Sequence, residues 1–279
     1  MMGDVYALNP YVEEAALYSP RARLSDASTV SSSSEDLLFH AIQENDADKF
    51  QEALRTGVDF NFTNGDDQSF LIFAMYSEKK EAFSQLAKYR ELLCLKDNMQ
   101  QTPLMRSIFM GSSYYCEALL KAGAKSDEQD QFGKTALMMA CEEGSIELLD
   151  LILRYQRVNL EAKDQDGTTA LTYAAINDHQ EVVEALINWG ANIDAADDKH
   201  WTALFRVADL GKYEMFAFLL QKGANVGMRI SGDWTLETML RMRIESFNLN
   251  SWQNASHHLD IRMQAERKKF QDMLNLLKA

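Results

Sequence analysis

The clearest alternation of apolar and polar positions runs from Asp164 to Ala196. Ala170, Leu171, Ala174 and Ala175 recur at the spacing of one helical face, and Val182, Val183, Leu186 and Ile187 form a second. Between them Asn177-Asp178-His179 breaks the first helix. Gly190 stops the second, because glycine enters the left-handed conformation of a helix C-terminus at little steric cost. The stretch predicts two short helices and a turn. Such a pair cannot bury both apolar faces alone, so its recurrence decides the fold.

The pair recurs. Leu38, Leu71, Leu104, Leu137, Leu171 and Leu204 hold one place, in steps of 33, 33, 33, 34 and 33 residues. Two residues earlier stand Thr102, Thr135, Thr169 and Thr202, with Thr235 following at the same period. Seven residues before the leucine stand Asp97, Asp130, Asp164 and Asp197. The second helix keeps its own register in Phe50, Phe83, Cys116, Leu149, Val183 and Phe216. A period near 33 residues predicts a solenoid of stacked helical pairs.

The segments Thr102-Pro103-Leu104, Thr135-Ala136-Leu137, Thr169-Ala170-Leu171 and Thr202-Ala203-Leu204, each followed by a helix pair ending in or near Gly-Ala, resemble ankyrin repeats. The resemblance covers about residues 35 to 250. It implies an all-α, ankyrin-type α-solenoid of stacked helix-turn-helix repeats, with β-hairpin-like connecting loops projecting as fingers. Repeats are expected at 35–66, 67–96, 97–129, 130–163, 164–196 and 197–230. The chain then divides into a mobile Ser-rich leader (1–34), six ankyrin-like repeats (35–230), and a degenerate repeat with a C-terminal capping helix (231–279). Phe39, Ile72, Met105, Met138, Thr172 and Phe205 stand where the family carries His after the leucine. The second repeat has Arg90 in place of the helix-ending Gly, and the fourth holds one extra residue within Tyr155 to Val158. Those two turns should be less regular.

The flanks follow other rules. Ser25 to Ser34 holds six serines and one threonine, which predicts a solvated leader; a phosphorylated tail is the rival reading. Tyr6, Leu8, Tyr11, Val12, Leu17 and Tyr18 would let part of it dock on the repeats. Ser32-x-x-Glu35 reads as a capping box opening the first helix. In the last helix, about 259 to 277, Ile261, Ala265, Phe270, Met273, Leu274 and Leu277 line one side, while Arg262, Glu266, Arg267, Lys268 and Lys269 line the other. A cap is the simplest role, since an end repeat must cover the last apolar face. Targeting of a membrane or a second protein is the alternative.

Composition narrows the function. A formal charge of −14 and a pI near 4.8 argue against a general phosphate-backbone binder, so no nucleic acid is expected. No apolar run approaches the length of a membrane span. The opening MMGDVYALNPYVEEAALY lacks the basic start and apolar stretch of a secretory signal. Three cysteines do not suggest a disulfide framework. An intracellular, cytoplasmic location follows as the expectation, with the nucleus, or a host cytosol for a secreted effector, as alternatives.

Catalytic chemistry finds little support. His40, His179, His200, His257 and His258 have no zinc-type spacing with cysteine, and the histidines of the turns are expected to be exposed. Cys116 and Cys141 fall on core registers and Cys94 in a turn. Gly133 and Gly167 are isolated turn glycines rather than a phosphate-cradling loop. No enzyme, cofactor or metal site is expected; a site built across the groove is the rival class.

The resemblance also implies which positions face outward: six, five and three before the register leucine, and five and six after it. Those positions hold Tyr76, Met99, Phe109, Met110, Phe132, Glu142, Ile176, Trp201 and Leu210, and Trp234 continues the Trp201 place. Tyr76, Phe109, Glu142 and Ile176 are expected to form one row across the first helices, with Trp201 and Trp234 adjacent on the fingers. Glu142, Glu143, Asp166, Asp198 and Asp209 lie among them. Aromatic-rich patches with a charged surround mark protein-binding surfaces. The expected function is a non-catalytic protein-interaction module or adaptor, a monomer, whose partner carries basic residues flanking an apolar anchor. An effector-type or regulatory protein tethering two partners through groove plus leader or C-terminal helix is the alternative.

Overall fold

The computed structural model describes residues 33–230, 234–250 and 257–278. The leader's docking residues and its serines through Ser32 lie outside these described residues. The chain forms two compact units, Met1–Leu92 and Leu93–Ala279. In the first, α1 (Ser34–Glu44) pairs with α2 (Ala47–Thr56), and α3 (Phe70–Tyr76) with α4 (Lys80–Leu86). In the second, five pairs follow: α5 (Pro103–Phe109) with α6 (Ser113–Ala122), α7 (Ala136–Glu142) with α8 (Ile146–Tyr155), α9 (Ala170–Ile176) with α10 (Gln180–Asn188), α11 (Ala203–Asp209) with α12 (Tyr213–Gln221), and α13 (Leu236–Asn250) with α14 (His257–Leu276). Successive first helices α5, α7, α9, α11 and α13 pack side by side. Among the described residues there is no multi-residue strand; the fingers carry single antiparallel bridges, Gln129 with Thr135, Ala196 with Thr202 and Arg229 with Thr235.

Two residues per repeat carry the core. All six register leucines and all six residues of the second-helix register are at most 3% exposed. The repeated threonine is the helix N-cap: the hydroxyls of Thr102, Thr135 and Thr202 accept from the backbone N–H groups of Met105, Met138 and Phe205. Ser69 does the same for α3. Second helices start likewise on Ser112 and Ser145. These caps let seven-residue helices form at all, since isolated helices that short are unstable in water.

The turns lacking glycine take their own routes. Repeat two leaves α4 through a 3₁₀ turn, Arg90–Leu93. Repeat four ends α8 at an extended Gln156, whose Oε1 accepts from Ser126 N–H at 3.0 Å and Ser126 O–H at 2.7 Å and whose Nε2 donates to the Ala124 carbonyl. The extra residue thus becomes a staple to the preceding repeat.

Three local expectations need correction. The first N-cap is Ser33 rather than Ser32: its hydroxyl accepts from Asp36 N–H at 3.2 Å, while Glu35 reaches forward to accept from Asp59 N–H at 3.0 Å. Ala265 faces water; among the residues of α14 whose burial is described, Phe270, Met273 and Leu274 are buried, and the helix packs on both α12 and α13, while Ile261 and Arg262 lie outside that description. Phe270 and Glu266 come so close to Gly211 that a Cβ there would lie 3.3 and 3.5 Å from them. His179 is half-buried: its Nε2 sits 2.8 Å from the Glu142 carbonyl oxygen, an acceptor only, so that nitrogen carries the proton.

The fingers also lock to one another through backbone. Gln131 N–H donates to the Met99 carbonyl and Gln165 N–H to the Phe132 carbonyl, each at 3.1 Å. Each of the five fully described fingertips turns on one residue with φ near +60 to +80°, and Asp67, Gln100 and His200 occupy that place without being glycine. Gly133 and Gly167 are required for a further reason. A Cβ would lie 2.8 Å from Gln165 N at the first and 2.5 Å from Asp198 N at the second. Gly133→Ala and Gly167→Ala should each cost more than the about 1–2 kcal/mol of a left-handed non-glycine residue, while Gly65→Ala, with nothing within 4 Å of its Cβ, should stay within about 0.5 kcal/mol. Urea unfolding of the three variants checks the order; equal midpoints would refute finger interlock.

Candidate functional site

Four fingers of the second unit are each built on one carboxylate, whereas the finger bridged by Arg229 and Thr235 begins on Ile230. In Asp97, Asp130, Asp164 and Asp197, Oδ1 accepts two backbone N–H groups, those two and four residues ahead, at 2.8–3.0 Å. This closes the finger. The other oxygen ties it to its own first helix nine residues on: Asp97 to Arg106 Nε, Asp164 to the Tyr173 hydroxyl at 2.5 Å, and Asp197 to Arg206 Nε at 3.0 Å. The Asp97–Arg106 pair is buried, with side chains 3% and 1% exposed. In the first unit Asn64 closes the finger by the same two N–H bonds, and the residue nine ahead is Phe73. A neutral amide thus stands where no cation or hydroxyl answers it. Phe73 instead joins an aromatic cluster, its ring 5.2 Å from that of Phe39, which stacks on Phe70 at 4.3 Å.

None of the ten predicted face residues is buried. Met99, Phe109, Met110, Ile176, Trp201 and Leu210 are half-buried, and Phe132 and Trp234 are 38% and 45% exposed. Tyr76, half-buried at the end of α3, belongs to the first unit. Glu142 accepts an ion pair from Lys134 Nζ at 2.7 Å, and that ammonium also lies 4.5 Å from the Tyr173 ring centroid. One face of Trp201 is taken by Arg206, its guanidinium carbon 5.0 Å from the ring centroid. The place five after the register leucine continues past Ile176 to Asp209 and then to Met242, 51% exposed, and Arg243 Nε donates to Asp209 at 2.9 Å across these repeats. Met242 was missed because the leucine of that register is replaced by Glu237.

Comparison with known proteins agrees with this geometry. The family described as "Ankyrin repeats (3 copies)" matches residues 38–130, 116–197 and 137–230. The chain belongs to the ankyrin-repeat family. Mouse NF-kappa-B inhibitor alpha is 33% identical over 141 residues, covering 47% of this chain and 45% of that protein. The mouse B-cell lymphoma 3 protein homolog is 33% identical over 138 residues, 48% of this chain and 31% of that protein. The chain therefore matches less than half the length of these relatives. Among solved structures, the ankyrin repeat domain of Bcl-3 superposes with a TM-score of 0.67 at 20% identity, over 77% of this chain and 95% of that one. An ankyrin repeat domain from Acinetobacter baumannii gives 0.59 at 25% identity, over 67% and 98%.

The remaining reactive groups of the ankyrin array are dispersed. Cys116 and Cys141 are buried in the helical core and Cys94 is exposed. Burial pushes the Cys116 thiol up to about 11 and raises that of Cys141 further. Among the described residues, no group of three His, Cys, Asp or Glu is placed to hold a metal ion. A cavity of about 490 Å³ opens beside His179, lined also by Gly144, Asp178, Gln180 and Glu181, and its wall is polar rather than apolar. Desolvation of its carboxyl, then the adjacent Glu142 carboxylate, raise the Glu143 pKa from its ordinary value, against the opposing pull of His179 and Lys134.

Two outcomes follow. Asp97→Ala should cost about 3–5 kcal/mol, because it strands a buried Arg106, whereas Asp166→Ala at an exposed fingertip should change stability by less than about 0.5 kcal/mol; equal urea midpoints would contradict the tie. Iodoacetamide on the native protein should label Cys94 alone by mass spectrometry, with Cys116 and Cys141 reacting only after denaturation.

Proposed function

We propose that this ankyrin array is a non-catalytic protein-interaction module, an adaptor that takes a partner on the face formed by its fingers and first helices. The observation that carries the proposal is the contrast along each repeat. Register positions are closed to solvent, yet Met99, Phe109, Phe132, Trp201 and Trp234, on the same fingers and helices, stay half-buried or exposed. Apolar side chains held open by a rigid scaffold bind with little ordering cost. The relatives named as inhibitors of NF-kappa-B act, by that name, on another protein, which supports a protein partner here.

The partner is proposed to carry Lys or Arg beside an apolar anchor, the protein to be a monomer, and the location to be intracellular. No described helix is long and apolar enough to cross a membrane. A tethering role through α14 is the second reading, favoured by Arg267 and Lys268, both exposed on that helix.

The test is affinity capture from cell lysate with mass spectrometry, comparing wild type with Phe109→Ala/Trp201→Ala of confirmed fold. Two lost anchors should weaken capture by at least about 30-fold. Equal capture by both proteins would refute the face and direct the search to α14 and the leader.

A further inference from the structure

The outward face of the second unit is not uniform from one end to the other. Repeat three presents Met99, Phe109 and Met110, and the next finger adds Phe132; these are soft or aromatic side chains without a carboxylate among them. Toward repeats five and six the chemistry changes. Asp166 and Asp198 are exposed, and among the described residues no hydrogen bond or ion pair engages their carboxylates; Glu143 is exposed as well but lies in the field of Lys134 and His179. The other acids of this face are already answered, Glu142 by Lys134 and Asp209 by Arg243. Lys199 is the opposing exposed cation on the sixth finger, which leaves a net acidic surface there. Trp201 already holds the chain's own Arg206 guanidinium on one side of its indole, the contact that a cation makes with such a ring. Trp234 lies 45% exposed on the finger beyond it.

We propose that the partner segment is an extended peptide lying along this face in a fixed direction, its apolar side chain on Phe109 and Met110 and its Lys or Arg among Asp166, Asp198 and Trp201. The proposal rests on the protein-interaction reading above and adds polarity and spacing to it. Packed helices lie about 8–10 Å apart, so three repeat steps separate the two ends by about 24–30 Å. An extended chain covers that in roughly seven to nine residues. One polyproline-type turn of three residues advances about 9 Å, close to one repeat step, so every third side chain meets an equivalent place. A helical ligand would need roughly 16–20 residues for the same span.

The test uses randomised twenty-residue peptides displayed on phage and selected on the full chain. Parallel selections use Glu143→Gln/Asp166→Asn/Asp198→Asn and Phe109→Ala/Trp201→Ala, each shown to be folded by circular dichroism and thermal melting. Wild type should enrich an apolar residue with Lys or Arg roughly seven to nine positions away. The acid-neutralised variant should lose the basic preference, keep the apolar one, and bind an enriched peptide about tenfold more weakly. Peptides that need Phe109 and Trp201 but show no spaced basic residue, or a helical spacing, would overturn the extended, polar ligand and leave the interaction face standing. Absence of any peptide dependent on Phe109 and Trp201 would overturn both.

Discussion

The second unit depends on one carboxylate used twice. Each finger Asp spends one oxygen on two backbone N–H groups of its own loop and, in three of four repeats, the other on a side chain nine residues ahead. The first bond pair fixes the loop; the second fixes its angle to the helix. A short loop with few apolar contacts would otherwise fluctuate in water. Because the Asp97–Arg106 and Asp197–Arg206 ties are buried, or nearly so, they tolerate the loss of one partner far less than a surface ion pair would. Everything carried at the fingertips inherits this precision.

From that frame the outward face follows with little further cost in ordering. The fingers bond to one another largely through main chain, so most of the side chains at their tips are not needed to hold the fingers together. Folding fixes Leu, Thr, Asp and two of the glycines, while Met99, Phe132, Asp166 and Trp201, the residues proposed to meet a partner, stay half-buried or exposed. On the proposed reading, stability and recognition occupy different residues of the same short loop.

Much of this was legible in the sequence, and for a physical reason. A 33-residue period repeats the same burial at the same place, so Leu104, Thr135 or Phe216 could be placed by counting. What counting missed depends on contacts between positions. Asp97 with Arg106, and Asn64 with Phe73, are paired choices that a register displays but does not explain until the loop closes on the helix. His179 looked exposed in its turn because its partner is a carbonyl of the preceding repeat. Ser33 replaced Ser32 as cap because adjacent serines offer the same hydroxyl one residue apart. Met242 was hidden by Glu237, which stands where the leucine should be.

The staple at Gln156 has a consequence for the frame of the array. Repeat four is one residue longer than its neighbours, yet the next leucine, Leu171, and the next finger, built on Asp164, sit in the same surroundings as the others. The added length is consumed at the end of α8, before the finger built on Asp164 begins, where an extended glutamine grips the preceding repeat. The one extra residue is thus absorbed within a single period, and the fingertips that follow stay in frame with those before them.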